Sequence, residues 1–183
     1  MITYISFLRG VNMTGHNSIK MADLTLLYGN LGLIQPETFI QSGNVIFSSN
    51  KEMPSDDLAV EIEKAINTRY GYNVPVMIRT IPEMKSIISS NPYLSEPDFD
   101  PAKMAVIFLR FSPADSQIEK VADVSYPPDK FKISGKEIYT FCPNGFGRTK
   151  IYTNFFENKM KVTGTARNWK TITTLNNMAE KRM

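Results

Sequence analysis

The residues best equipped for chemistry stand in two polar stretches. Arg9-Gly10-Val11-Asn12-Met13-Thr14-Gly15-His16-Asn17-Ser18 combines a permanent cation, two glycines, short hydrogen-bonding side chains and the single histidine of the chain. Placed between a strand and a helix, such a segment can turn backbone N–H groups toward a phosphate or carboxylate. Its spacing matches neither Gly-x-x-x-x-Gly-Lys-Ser/Thr nor the dinucleotide fingerprint, and an ordered loop held by its own Asn and Thr side chains accounts for the same residues. The second stretch is split between Asn144-Gly145-Phe146-Gly147-Arg148-Thr149-Lys150 and Thr165-Ala166-Arg167-Asn168-Trp169-Lys170-Thr171. Both are basic and both lead into helices. Arg148, Lys150 and Lys170 would meet nucleic-acid phosphates, while Trp169 would stack on a base or pack into the core.

Catalytic material is sparse. His16 is the one side chain whose ordinary titration falls near neutrality, so acid–base chemistry on a phosphorylated or acyl substrate would use His16 with Arg9. The carboxylate pairs Asp56/Asp57 and Asp98/Asp100 sit at a helix start and in a linker, where capping and solvation explain them, and no nucleophile stands out. One cysteine and one histidine exclude a structural Cys/His zinc site and an internal disulfide; the expectation is no metal and no cofactor. Cys142, at the end of an apolar strand, reads as inert core unless Arg148 and Lys150 approach it.

The scaffold that positions these residues is written twice. Tyr4-Ile5-Ser6-Phe7-Leu8-Arg9 is echoed by Ala105-Val106-Ile107-Phe108-Leu109-Arg110, and Ser42-Gly43 by Ser134-Gly135. Arg9 to Ser42 spans 33 positions against 24 from Arg110 to Ser134, and most of the surplus falls in residues 10–17. Aligning the two Ser-Gly pairs sets Gln41 and Asn44 against Ile133 and Lys136, so these polar residues join the loop as features of copy one. Arg9 has its counterpart in Arg110.

In copy one the apolar pattern predicts strand Ile2–Leu8, then a helix with Met21, Leu24, Leu27, Tyr28 and Leu31 on one face, closed by Gly32. Strands over 38–41 and 44–48 follow, then a helix on Leu58, Ile62, Ala65 and Ile66 ended by Gly71. A strand over 74–79, placed at an edge by Pro75, leads to a Thr80/Glu83 capping box and a closing helix. Copy two repeats the order: strand 103–110, a helix begun by Ser112-Pro113-Ala114-Asp115, a hairpin, helix 150–160, strand 162–167 and a last helix. The expected fold class is α+β, a tandem duplication of two ferredoxin-like β-α-β-β-α-β plaits, each with an extra C-terminal helix. The proline-punctuated connection places the domains at 1–98 and 99–183, with one sheet face of each left for a ligand, a partner or the sister domain.

Residues 1–98 hold 7 Lys and Arg against 10 Asp and Glu, a balance of −3, whereas residues 99–183 hold 14 against 8, or +6. Such asymmetry fits a polyanionic partner for the second half or an electrostatic match between halves. There is no basic n-region followed by an apolar h-region, and no apolar run reaches the roughly 20 residues of a membrane helix, so a cytoplasmic protein is expected.

Leu8-Arg9-Gly10-Val11-Asn12, Lys20-Met21, Thr38-Phe39-Ile40-Gln41-Ser42-Gly43-Asn44-Val45 and Thr165 through Thr171 make the chain resemble a bacterial family of unknown function, DUF1697. Members often carry two glycines where this chain has Thr14-Gly15, which makes the loop less permissive here. The resemblance implies a soluble bacterial protein of two ferredoxin-like halves and carries no activity with it. The leading expectation is non-catalytic binding of a phosphate-bearing small molecule or nucleic acid through Arg9, Gly10, Asn12, Gly15, His16, Gln41 and Asn44, joined by Arg167 and Asn168. The alternatives are the His16/Arg9 enzyme and a structural module, including a homodimer whose exposed sheets cover one another.

Overall fold

The computed structural model describes every residue except Thr14, Glu52, Asp98 and Met183. Packing divides the chain into two compact units, Met1–Lys85 with Thr174–Met183, and Ser86–Thr173. The second unit thus begins before the proline-rich connection, and residues 174–183 count with the first.

The first unit is built on β1 (Ile2–Leu8), α1 (Met21–Asn30), β2 (Ile34–Phe39), β3 (Asn44–Ser49), α2 (Ser55–Tyr70) and β4 (Val76–Thr80), after which α3 (Ile81–Ser89) begins. Its four strands form one antiparallel sheet in the order β2-β3-β1-β4. Because β1 is central, all of it but Ile2 is buried. Alternate residues Tyr4 and Leu8, with Val45, Phe47, Val76 and Ile78, face Leu24, Leu27 and Tyr28 of α1 and Leu58, Ile62 and Ile66 of α2. Ser6 shares that face and keeps a polar contact inside it: its Oγ lies 2.9 Å from the Tyr28 hydroxyl, whose titration burial pushes far upward.

The second unit repeats the order with β5 (Met104–Leu109), α4 (Asp115–Ala122), β6 (Lys130–Ser134), β7 (Glu137–Phe141), α5 (Thr153–Met160), β8 (Gly164–Asn168) and the start of α6 (Trp169–Glu180). The strand order is β6-β7-β5-β8. Ile107, Leu109 and Ile138 pack there on Val121 of α4 and on Phe156 and Met160 of α5.

Opposite the helices, Ile5, Phe7, Ile46 and Met77 of the first sheet and Val106, Phe108 and Tyr139 of the second are also buried. These residues are therefore not open to water on either face of their sheets. Full burial of such apolar side chains stabilises by about 1.5–3 kcal/mol each, which is why these faces do not stay in water.

Gly32 and Gly71 take the expected left-handed backbone at φ 76° and 72°. At α3, the Thr80 hydroxyl donates to the Glu83 carboxylate at 2.8 Å while that carboxylate also accepts the Thr80 N–H at 2.7 Å. Other boundaries move. α4 starts at Asp115, past Ser112-Pro113, because the Gln117 side chain reaches back to accept the Ala114 N–H at 2.9 Å. α5 starts at Thr153 because the backbone is extended at Thr149 and Tyr152, with ψ of 152° and 175°. β2 ends at Phe39, since Ile40 adopts φ 52°, outside strand geometry.

The hairpins correct the alignment of the copies. Phe39 pairs with Asn44, leaving a four-residue turn, whereas Ser134 pairs with Glu137 around the two residues Gly135 and Lys136. Leu8 N–H donates to the Gly43 carbonyl and Leu109 N–H to the Lys136 carbonyl, both at 2.8 Å, so Gly43 matches Lys136 and Asn44 matches Glu137. Copy one thus carries a longer hairpin turn as well as the extra loop. At the chain's far end, Arg182 donates to the Gln35 carbonyl at 2.7 Å and the Ile46 carbonyl at 3.2 Å and pairs with Glu37, binding residues 174–183 to β2 and β3.

Candidate functional site

The two additions of copy one meet. Asn12, at φ 54°, donates its amide hydrogens to the Ile19 and Gln41 carbonyls, each at 2.9 Å, and its Oδ1 accepts the Ile19 N–H at 2.8 Å. Asn17 closes the loop by donating to the Gly10 carbonyl at 3.1 Å. Beneath it, Val11 presses on the hairpin turn so closely that a Cβ at Gly43 would lie 2.5 Å from Val11 Cγ2 and 2.7 Å from Leu8 Cβ. Asn44 is buried and donates to the Phe39 carbonyl and Ser42 Oγ, both at 3.0 Å. Asn12 reaches the Gln41 backbone and Asn44 the same hairpin turn, and the amides of Asn12 and Asn44 are directed at protein acceptors. The arrangement is a clasp.

Around the clasp, Gly10 and Gly15 take left-handed φ of 69° and 84°, and Arg9 is partly buried. His16 is exposed on the tight turn in which its N–H donates to the Met13 carbonyl. Thr14, where the family resemblance had its departure, lies outside the described residues.

Of the second basic segment, Arg167 is buried on β8, with Nη1 donating to Thr165 Oγ1 and the Ala166 carbonyl at 2.8 Å. Burial lowers its guanidinium to about 10. Asn168 caps α6 by accepting the Thr171 N–H at 2.8 Å. Trp169 is 6% exposed, so its ring is a packing group, while Lys170 is exposed.

The approach to α5 is open. Arg148 and Lys150 are exposed, and Lys150 Nζ sits 5.3 Å from the centroid of the Tyr126 ring. A cleft of about 480 Å³ is lined by Lys150, Tyr152, Asn154, Phe155, Asn158 and Lys159. Tyr152 is 54% exposed and precedes α5 without a side-chain cap to the first-turn N–H groups. Sequence reading had Lys150 but missed Tyr152 and Lys159; the signal available was the polar, basic face of the helix, Asn154, Asn158 and Lys159. Cys142 is buried with its Sγ 3.5 Å from Thr149 Oγ1, and burial pushes its thiol up, which makes it unreactive core.

Among the described residues no group of three or more His, Cys, Asp and Glu gathers as a metal site, and no helix is long and apolar enough to cross a membrane. Counted by unit, the charge asymmetry shrinks. Ser86–Thr173 holds 12 Lys and Arg against 9 Asp and Glu, or +3, and the other unit holds 9 of each.

A family model described as Protein of unknown function (DUF1697) matches residues 1–139, which includes the clasp and stops short of residues 165–171. Seven solved chains match. One is described as the conserved bacterial protein SP0830 from Streptococcus pneumoniae; it is 22% identical, with a TM-score of 0.77, over 98% of this chain and 99% of that one. At that identity the likeness shows fold alone. No curated protein matches the sequence.

Proposed function

The chain belongs to the DUF1697 family, and from that premise we propose a non-catalytic, cytosolic binding protein whose second unit takes a phosphate-bearing ligand with a stackable ring, a nucleotide or a short single-stranded nucleic acid. One observation carries this reading: Tyr152, more than half exposed, shares a cleft with Lys150 and Lys159. Lysine ammonium groups attract phosphates, and an exposed ring stacks on a base for about 1–3 kcal/mol. Asn154 and Asn158 add donors and acceptors in the same cleft. The clasp of copy one is the scaffold's brace in this reading, and the exposed His16 gives the enzyme alternative little support.

The strand orders β2-β3-β1-β4 and β6-β7-β5-β8, with helices after the first and third strands of each half, support reading each half as a ferredoxin-like plait followed by a closing helix.

Fluorescence anisotropy with a labelled oligouridylate, and ATP as competitor, tests the binding site. Tyr152→Ala is expected to weaken binding roughly tenfold, and Lys150→Glu with Lys159→Glu to weaken it further and flatten its salt dependence. Absence of binding at micromolar RNA and millimolar ATP, or unchanged affinity in both variants, would remove the proposal.

A further inference from the structure

Helices α1 and α2 bound a separate concavity of about 650 Å³ in the first unit. From α2 it takes positions 61, 64, 65, 68 and 69, the spacing of one helical face. Its floor is apolar: Leu27, Leu31 and Ala65, which belong to or pack against the core. Leu26 and Val60, on the same two helices, are 60% and 54% exposed.

The rim is basic. Lys51, Lys64 and Arg69 line the groove, and among the described residues the carboxylate lining it, Glu61, is paired with Lys51 at 2.8 Å. The neighbouring acid Glu63 accepts the Val76 N–H at 2.8 Å and is not among the lining residues. Among the described lining residues Lys64 and Arg69 therefore leave a surplus of two positive charges, about 7.5 Å apart along the axis of α2 at 1.5 Å per residue. An apolar floor between two helices with cations along one wall is the complement of an amphipathic helix bearing carboxylates.

We propose that the groove between α1 and α2 binds an acidic amphipathic helix of a partner protein. Apolar residues of that helix rest on Leu27, Leu31 and Ala65, and its carboxylates meet Lys64 and Arg69. The groove shares no residue with the cleft beside α5, so the two proposals stand or fall separately.

The test uses the full chain and a labelled peptide of about four helical turns with leucines at i, i+3, i+4 and i+7 and glutamates elsewhere, alongside its scrambled form and a lysine counterpart. The acidic amphipathic peptide is expected to bind, with affinity falling roughly tenfold or more in Lys64→Glu/Arg69→Glu and on filling the floor with Ala65→Trp. Circular dichroism and thermal melting identify variants that remain folded, and the charge-reversal pair, being at the surface, supplies the decisive comparison if Ala65→Trp unfolds. Equal binding of the scrambled or lysine peptide, unchanged affinity after charge reversal, or binding of laurate but not of the peptide would overturn the proposal.

Discussion

Arg79 of β4 and Arg167 of β8 hold the same register position in their sheets, one opposite Ile5 and the other opposite Val106. Both are buried, and in each Nη1 donates to the carbonyl of the preceding residue, Ile78 at 2.9 Å and Ala166 at 2.8 Å. The duplication thus repeats a buried guanidinium as well as strands and helices. A planar fork serves several acceptors at once, which an ammonium on a flexible stem does not. Arg167→Lys is expected to cost about 1–3 kcal/mol in urea denaturation, because the contacts to Thr165 and Ala166 are lost together. A cost near zero would show that the charge alone matters there.

Tyr139 predicts the alkaline behaviour of the second unit. Its hydroxyl donates to the Ile87 carbonyl at 3.0 Å, and burial raises it to about 12. A group raised above its unfolded value stabilises the fold below the unfolded pKa, near 10, and that contribution is lost as pH rises toward 12. Burial shifts Arg167 in the opposite sense, downward, so its contribution opposes that of the tyrosines. Tyr93 of the same unit is also raised by burial and adds to the tyrosine side. Stability should therefore fall from about pH 10 to 12, and Tyr139→Phe should make that fall shallower despite losing one hydrogen bond at pH 8. Tyrosinate absorbance and denaturation at stepped pH read both.

Gly43 and Gly135 separate space from backbone conformation. Both have positive φ, 74° and 58°, but a Cβ at Gly43 strikes Val11 and Leu8, whereas at Gly135 the nearest atom is Glu137 Oε2 at 3.9 Å. Gly135→Ala is expected to cost about 1–2 kcal/mol from the left-handed backbone alone. Gly43→Ala should add roughly 1–3 kcal/mol for the clash. Equal costs by chemical denaturation would mean the loop yields and the clasp is slack.

The fold was legible where one physical cause sets the residue type. Strand Ile2–Leu8 was read to its last residue because a central strand buried on both faces is nearly all apolar, and Gly32 and Gly71 were read because a left-handed helix end favours glycine. Register was misread at Ser42-Gly43, since identical dipeptides sit at different places in turns of different length, and the ladder rather than residue likeness fixes register. The role of Asn12 was hidden for another reason: its acceptors are the backbone carbonyls of Ile19 and Gln41, which leave no mark in sequence. Tyr152 escaped notice because exposure of an aromatic is a property of packing, not of local pattern.

The contacts of Arg182 with Gln35, Ile46 and Glu37 have a temporal meaning. Residues 86–173 interrupt a unit whose remaining pieces are residues 1–85 and 174–183. On the ribosome the inserted unit emerges entire before the interrupted one receives its last segment, so the part begun first is finished last.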